Sequence, residues 1–238
     1  MFLARIGGQK MEEPKKETRK LVVNFDKRRL HSSIMLHMRR MRIPSSMIGA
    51  DLLKGVVFGV MRHPEISIRE AVSNAVNASK VPGSTMSVDD GFGYIMDVLE
   101  VASETEFSED ERTPEEMEET LKSVVSNFIT EINKEYCYEI TIQTLDGNLK
   151  GFRKYTIGGE IIKCMLFKKL YAPESTYECM REYALRKVGT EIDGKAITME
   201  EAMEYVNPLL GKKEPTEQDL KALVEEMEEC AYKSQPAE

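Results

Sequence analysis

Prolines decide where the first half of this chain must turn. Between residues 30 and 103, apolar side chains recur three or four apart and the runs are broken at Pro44, Pro64 and Pro82, each of which denies a helix a backbone donor. Ile34, Met38 and Met41 stripe a first helix that Pro44 stops. Ser45 or Ser46 is placed to cap a second, whose inner face is Ile48, Leu52, Val56 and Val60 and whose end is Pro64. A third starts near Ser67, carries Ile68, Val72, Ala75 and Val76, and ends before Pro82-Gly83, and a fourth repeats Val88, Phe92, Ile95, Met96 and Leu99. The spacing predicts a compact four-helix module over 30–103.

The second half reads differently. Thr113-Pro114-Glu115-Glu116 is a helix start with proline at the first helical position and a capping acid, and the helix continues through Leu121, Val124, Val125, Phe128 and Ile132. From Tyr136 the pattern alternates, with Tyr138, Ile140 and Ile142 opposed to Glu139, Thr141 and Gln143. Asp146-Gly147 reads as a tight turn and 149–157 as a returning strand. Helices are expected near 159–171, 176–188, 199–206 and 217–232, three of them opened by Ser175-x-x-Glu178, Thr198-x-x-Glu201 and Thr216-x-x-Asp219. No internal repeat is evident. The expected fold is mainly α, with a small α+β second domain whose one β-hairpin packs on helices.

Charge supplies the domain boundary. Residues 1–42 hold twelve Lys/Arg against four acids, whereas 104–119 hold nine acids against Arg112 alone. A like-charged stretch such as TEFSEDERTPEEMEE is poor core material, so the expected division is a basic flexible arm (1–29), the helical module (30–103), an acidic linker (104–112) and an α+β domain (113–238). No apolar run approaches the ~18–20 residues that span a bilayer, and the opening MFLARIGGQK is too short and too weakly apolar for a secretory signal. Cys137, Cys164, Cys179 and Cys230 form no C-x-x-C pair, which points to reduced thiols in a cytoplasm and to neither zinc nor a redox dithiol. No metal or cofactor is expected.

A helix, a short turn around Pro82-Gly83-Ser84-Thr85 and a second amphipathic helix make the pattern of a helix-turn-helix, whose second helix enters the major groove. The stretch SIMLHMRRMRIPSSMIGADLLKGVVFGVMRHPEISIREAVSNAV, followed by SVDDGFGYIMDVLEVA, resembles the C-terminal effector domain of the stage-zero sporulation response regulator of Firmicutes. The likeness rests on Ile43-Pro44, Gly49, Leu53 and the recurrence of Val88, Phe92, Met96 and Val98, over about 70 of the 238 residues. It implies an all-helical DNA-binding module with scaffold helix 67–81 and a recognition helix beginning near Met86. Members of that family carry arginines on the recognition helix where this chain has Met86, Ser87, Asp90, Gly93 and Tyr94, and Asp89 alone keeps the family's acidic type. No receiver of ~100 residues precedes the module, so aspartyl phosphorylation of the family kind is not expected. Phosphate contacts must then come from Lys27, Arg28, Arg29, Arg39, Arg40 and Arg42, with Ser84, Thr85, Ser87 and Tyr94 at the turn and probe helix.

The expected function is a non-enzymatic, cytoplasmic transcription regulator of the sporulation type, binding double-stranded DNA as a homodimer, with a possible protein partner for its second domain. The alternative is a protein-interaction adaptor, in which the acidic face of Asp89, Asp90 and Asp97 meets a basic protein surface or the chain's own N-terminal arm. A further alternative rests on Glu204-x-x-Asn207, which resembles the acid-amide pair of CheX-type chemotaxis phosphatases, although Asn207 before Pro208 also fits a plain helix end. Glu70-x-x-x-Asn74 followed by Asp90-Gly91-x-Gly93 imitates the nucleotide site of histidine-kinase-type ATPases, but 15 residues between Asn74 and Asp90 leave no room for the strand and loops it needs. His31, His37 and His63 lie in no metal or nucleophile spacing.

Overall fold

A computed structural model describes residues 21, 26–79, 86–103 and 113–235. Among these there are nine helices and no strand: α1 (Lys27–Arg40), α2 (Ile48–Arg62), α3 (Ile68–Ala78), α4 (Val88–Ser103), α5 (Pro114–Asn148), α6 (Ile157–Tyr171), α7 (Tyr177–Asp193), α8 (Met199–Leu210) and α9 (Glu217–Lys233). None of these helices is long and apolar enough to cross a membrane.

The expected β-hairpin is therefore corrected to helix. α5 runs unbroken for 35 residues, about 52 Å at 1.5 Å per residue. Its buried positions, Phe128, Ile132, Tyr136, Ile140, Thr144 and the residues beside them, step by about four. An alternating pattern and a helical one coincide at i and i+4, so the five-residue window from Tyr138 to Ile142 did not separate them. Burial does: Tyr138, assigned to the inner face of a strand, is 45% exposed, whereas Thr141, assigned to the outer face, is fully buried. The Thr141 hydroxyl is satisfied within the helix by donating to the Cys137 carbonyl at 2.7 Å. Strand propensity yields here to the burial pattern. Asp146-Gly147 closes the last turn of α5, and 149–156 is a turn through Gly151 at φ +81°.

Smaller corrections concern the caps. α2 is preceded by Met47 with no side-chain cap, so neither Ser45 nor Ser46 serves. Thr176, one residue past the expected Ser175, caps α7 by accepting from the Cys179 N–H. α8 continues through Asn207 and Pro208 to Leu210 and stops at Gly211 in the left-handed region. Lys27, Arg28 and Arg29, expected in the arm, form the first turn of α1, which Asp26 caps.

Two compact units divide at Gly147/Asn148, not in the acidic segment 104–112, which lies outside the described residues, as do Pro82-Gly83 and most of the N-terminal arm. In the first unit α2 packs on α1, α3 and α4. Leu52, Leu53, Val72, Phe92 and Ile95 fill the centre, and the first half of α5 adds Leu121, Val125, Phe128 and Ile132 to the same core. In the second unit α6 is the axis, packed on α7, α8 and α9. Apolar residues lie all round α6, with Ile161, Ile162, Met165, Leu166 and Leu170 buried, the pattern of a helix surrounded by others. Burial pushes the thiols of Cys137 and Cys164 up to about 11, which keeps them protonated and poor nucleophiles.

The expectation of no internal repeat is also corrected. α2 opens Ile48-Gly49-Ala50-Asp51-Leu52-Leu53-Lys54 and α6 opens Ile157-Gly158-Gly159-Glu160-Ile161-Ile162-Lys163. In both the acid pairs with the lysine one turn on, Asp51 with Lys54 and Glu160 with Lys163. Each helix is followed by Pro-Glu-x-Ser/Thr, and Ser67 or Thr176 caps the next helix. Each is also preceded by a residue of positive φ, Arg42 at 58° and Gly151 at 81°. Leu121, Val125, Phe128 and Ile132 share the buried spacing of Leu220, Val224, Met227 and Ala231.

The start of α9 gives a pH-dependent prediction. Asp219 is held by the Lys212 ammonium and accepts from the Thr216 N–H and hydroxyl at 2.8 and 2.9 Å, which lowers its carboxyl from the ordinary 3.8 to about 2. A depressed folded-state value means that the unfolded chain binds the proton first as pH falls. The stabilisation is thus complete above pH 3.8 and fades as pH drops through about 2. Asp219→Asn should melt below the parent at pH 6, with the gap closing between pH 4 and 2, as read by thermal denaturation across that range.

Candidate functional site

Of the residues expected to touch DNA, Ser87, Arg29 and Arg40 are engaged by acids of their own unit. Ser87 is consumed by its own helix: its N–H and hydroxyl donate to Asp90 Oδ2 at 2.8 and 2.7 Å, and its Oγ accepts from the Asp90 N–H at 3.0 Å. These bonds hold the Asp90 carboxyl below its ordinary value and satisfy donors at the start of α4. Asp89 meets Arg69 of α3 at 2.7 Å, and the Arg69 guanidinium lies 5.9 Å from the centroid of the Phe92 ring. Ser84 and Thr85 lie outside the described residues.

On α1 the cations are partly spoken for. Arg29 pairs with Glu139 and stands over the Tyr136 ring, and Arg40 pairs with Glu135. Glu135 Oε2 also lies 3.2 Å from Nε2 of the buried His37, whose ring meets Phe128 edge-on. Exposed pairs of this kind contribute at most about 1 kcal/mol each, yet each removes a positive charge from the surface potential. Lys27, Arg28, Arg39 and Arg42 are exposed. Glu135 and Glu139 went unrecognised as partners because a strand beginning at Tyr136 separates them, whereas one helix places them at i and i+4 on a single face.

The outward side of α4 has a consistent character. Asp90, Tyr94, Asp97 and Val101 follow one another at i, i+4, i+7 and i+11, and all are exposed, Tyr94 at 43% and Val101 at 57%. No Lys or Arg occurs from Val88 to Ser103, while Asp89, Asp90, Asp97 and Glu100 do. The inner side, Gly91, Phe92, Ile95, Met96 and Val98, is buried. The helix is held close to α2 at Gly49, where an added Cβ would lie 1.8 Å from the Tyr94 carbonyl oxygen. The result is a fixed, anionic and aromatic stripe.

The other motifs do not assemble. Gly91 is a packing residue, since a Cβ there would lie 2.6 Å from Val76 Cγ2, and Asn74 and Glu70 sit exposed on α3. Glu204 is exposed, whereas the Asn207 Oδ1 is closed to solvent without a hydrogen-bond partner. His31 is exposed, and His63 ends α2 with Nδ1 3.4 Å from Glu65. Among the described residues no three His, Cys, Asp or Glu side chains gather closely enough to hold a metal. The chain matches no family model, no curated protein and no solved structure.

Proposed function

We propose that the protein is a non-enzymatic interaction adaptor whose first unit offers the exposed face of α4 to a basic protein segment. The observation that carries this reading is the exposed stripe of Asp90, Tyr94, Asp97 and Val101 on a helix with no Lys or Arg along its sixteen residues. A duplex presents one phosphate charge per ~1.7 Å, and binding it depends on cations that displace counterions. α4 would bring only like charge to the groove. A lysine-rich amphipathic helix has the complementary features: ammonium groups for Asp90 and Asp97, and an apolar side for Tyr94 and Val101. Tyrosine suits such a role because its ring supplies contact area at small entropic cost and its hydroxyl remains solvated.

Fluorescence anisotropy of the full chain at low salt tests this. The probes are a labelled peptide with Lys and Leu at helical spacing and a labelled random DNA duplex. The peptide is expected to saturate in the micromolar range, Tyr94→Ala with Asp97→Lys should weaken it about tenfold, and the duplex should give a flat titration. Duplex binding without peptide binding would restore the DNA reading and end this one.

A further inference from the structure

The stripe on α4 has a counterpart in the second unit. α4 is entered through Ser87-Val88-Asp89-Asp90-Gly91-Phe92-Gly93-Tyr94-Ile95 and α8 through Thr198-Met199-Glu200-Glu201-Ala202-Met203-Glu204-Tyr205-Val206. Position by position this is a hydroxyl, an apolar residue, two acids, a small residue, a large apolar residue, one variable position, tyrosine and a β-branched residue. The hydroxyl and the second acid form the same reciprocal cap in both: Thr198 donates its N–H and hydroxyl to Glu201 and accepts from the Glu201 N–H, as Ser87 does with Asp90. The tyrosine carbonyl is pressed in both against a glycine at the second position of the central helix. A Cβ on Gly158 would lie 2.1 Å from the Tyr205 oxygen, the relation Gly49 has to Tyr94. Like α4, α8 contains no Lys or Arg.

Packing accounts for the glycines and the inner apolar positions, and capping with the helix dipole accounts for the leading acids. Neither accounts for the tyrosine. Tyr94 and Tyr205 are each 43% exposed, at the same step of the same turn, and the exposed Asp90 and Glu201 each precede their tyrosine by four residues on the same helix face. Each ring buries part of its surface and leaves nearly half of it open to solvent, and the recurrence of that open part at both places points to a shared use. We infer that the chain is a tandem duplication and that α8 is a second docking face, equivalent to α4, for a basic amphipathic segment. One molecule then takes two such segments. This rests on the docking reading of α4.

Isothermal titration of the full chain with the Lys/Leu peptide, unlabelled, counts the sites. Two peptides per chain are expected to bind in the micromolar range; that number should fall to one, with the other site weakened about tenfold, in Tyr94→Ala/Asp97→Lys and likewise in Tyr205→Ala/Glu204→Lys, and to none when all four changes are combined. A parent stoichiometry of one, lost only through the Tyr94 pair, overturns the second site while the α4 reading stands. A stoichiometry of two that the Tyr205 pair leaves at two overturns it as well, and absence of any binding overturns both. Should Tyr205→Ala unfold the second unit, Glu204→Lys alone, at an exposed position, is expected to weaken one of the two sites about fivefold, and an unchanged isotherm would refute the inference.

Discussion

Gly49→Ala should be among the most damaging single-methyl additions in the first unit. An added Cβ would stand 1.8 Å from the Tyr94 carbonyl oxygen and 2.6 Å from its carbon, both backbone atoms that cannot turn aside. Ordinary contact begins near 3.4 Å, so α2 and α4 must move apart by more than an ångström along a fully packed seam. Overpacking typically costs about 1–3 kcal/mol, and a backbone obstacle places Gly49→Ala at the upper end, above the ~1 kcal/mol that alanine gains over glycine in helix propensity. Gly93→Ala, on α4 beside Tyr94 with nothing within 4 Å of its Cβ, feels only the propensity and should stabilise by about 1 kcal/mol. Opposite signs in denaturant unfolding are the expected result. Equal effects, or a neutral Gly49→Ala, would show that the seam is looser than described. Gly158→Ala should behave like Gly49→Ala in the second unit.

Phe128→Ala is expected to cost about 3–5 kcal/mol, the range for removing a buried aromatic ring. Phe128 is 1% exposed, meets the edge of His37 at 6.5 Å between centroids, and belongs to the core that α1 to α4 build. The location of the damage is the sharper test. Hydrogen exchange should speed up at the amides of α1, α2 and α4 and leave those of α7 and α8 as they were. Loosening confined to residues 148–235 would contradict the placement of α5 in the first unit and favour a boundary in the acidic segment.

Much of the helical framework was legible because its signals are local. Ser67, Thr113 and Thr198 are caps readable within four residues, and most of the inner faces of α3 and α4 follow from spacing, whereas Ile48, expected on the inner face of α2, is 48% exposed and Leu53 and Val57 are buried in its stead. What failed needed longer reach. Residues 136–143 alternate well enough to mimic a strand, and it is the burial of Thr141, continued by Thr144 and Leu145 beyond them, that shows the helix. The repeat escaped because its halves agree in class more than in identity: Leu52-Leu53 answers Ile161-Ile162, and Asp89-Asp90 answers Glu200-Glu201. The glycine-to-tyrosine approaches that make the match specific are 45 to 47 residues long in sequence. The cations Arg29 and Arg40 were likewise visible, but their neutralisation by Glu139 and Glu135 spans about a hundred residues and depends on a helix read as a strand.

The closeness of α2 to α4 has a kinetic corollary. A glycine facing a carbonyl works as a detent: any slide or roll of α4 that sets a residue with a Cβ opposite the Tyr94 oxygen meets the clash that Gly49 avoids. The helix can neither creep nor swivel without first detaching. Whatever meets Tyr94 therefore finds the ring's anchor point already immobilised, so little ordering remains to oppose association, and differences among partners should register chiefly in how long they stay.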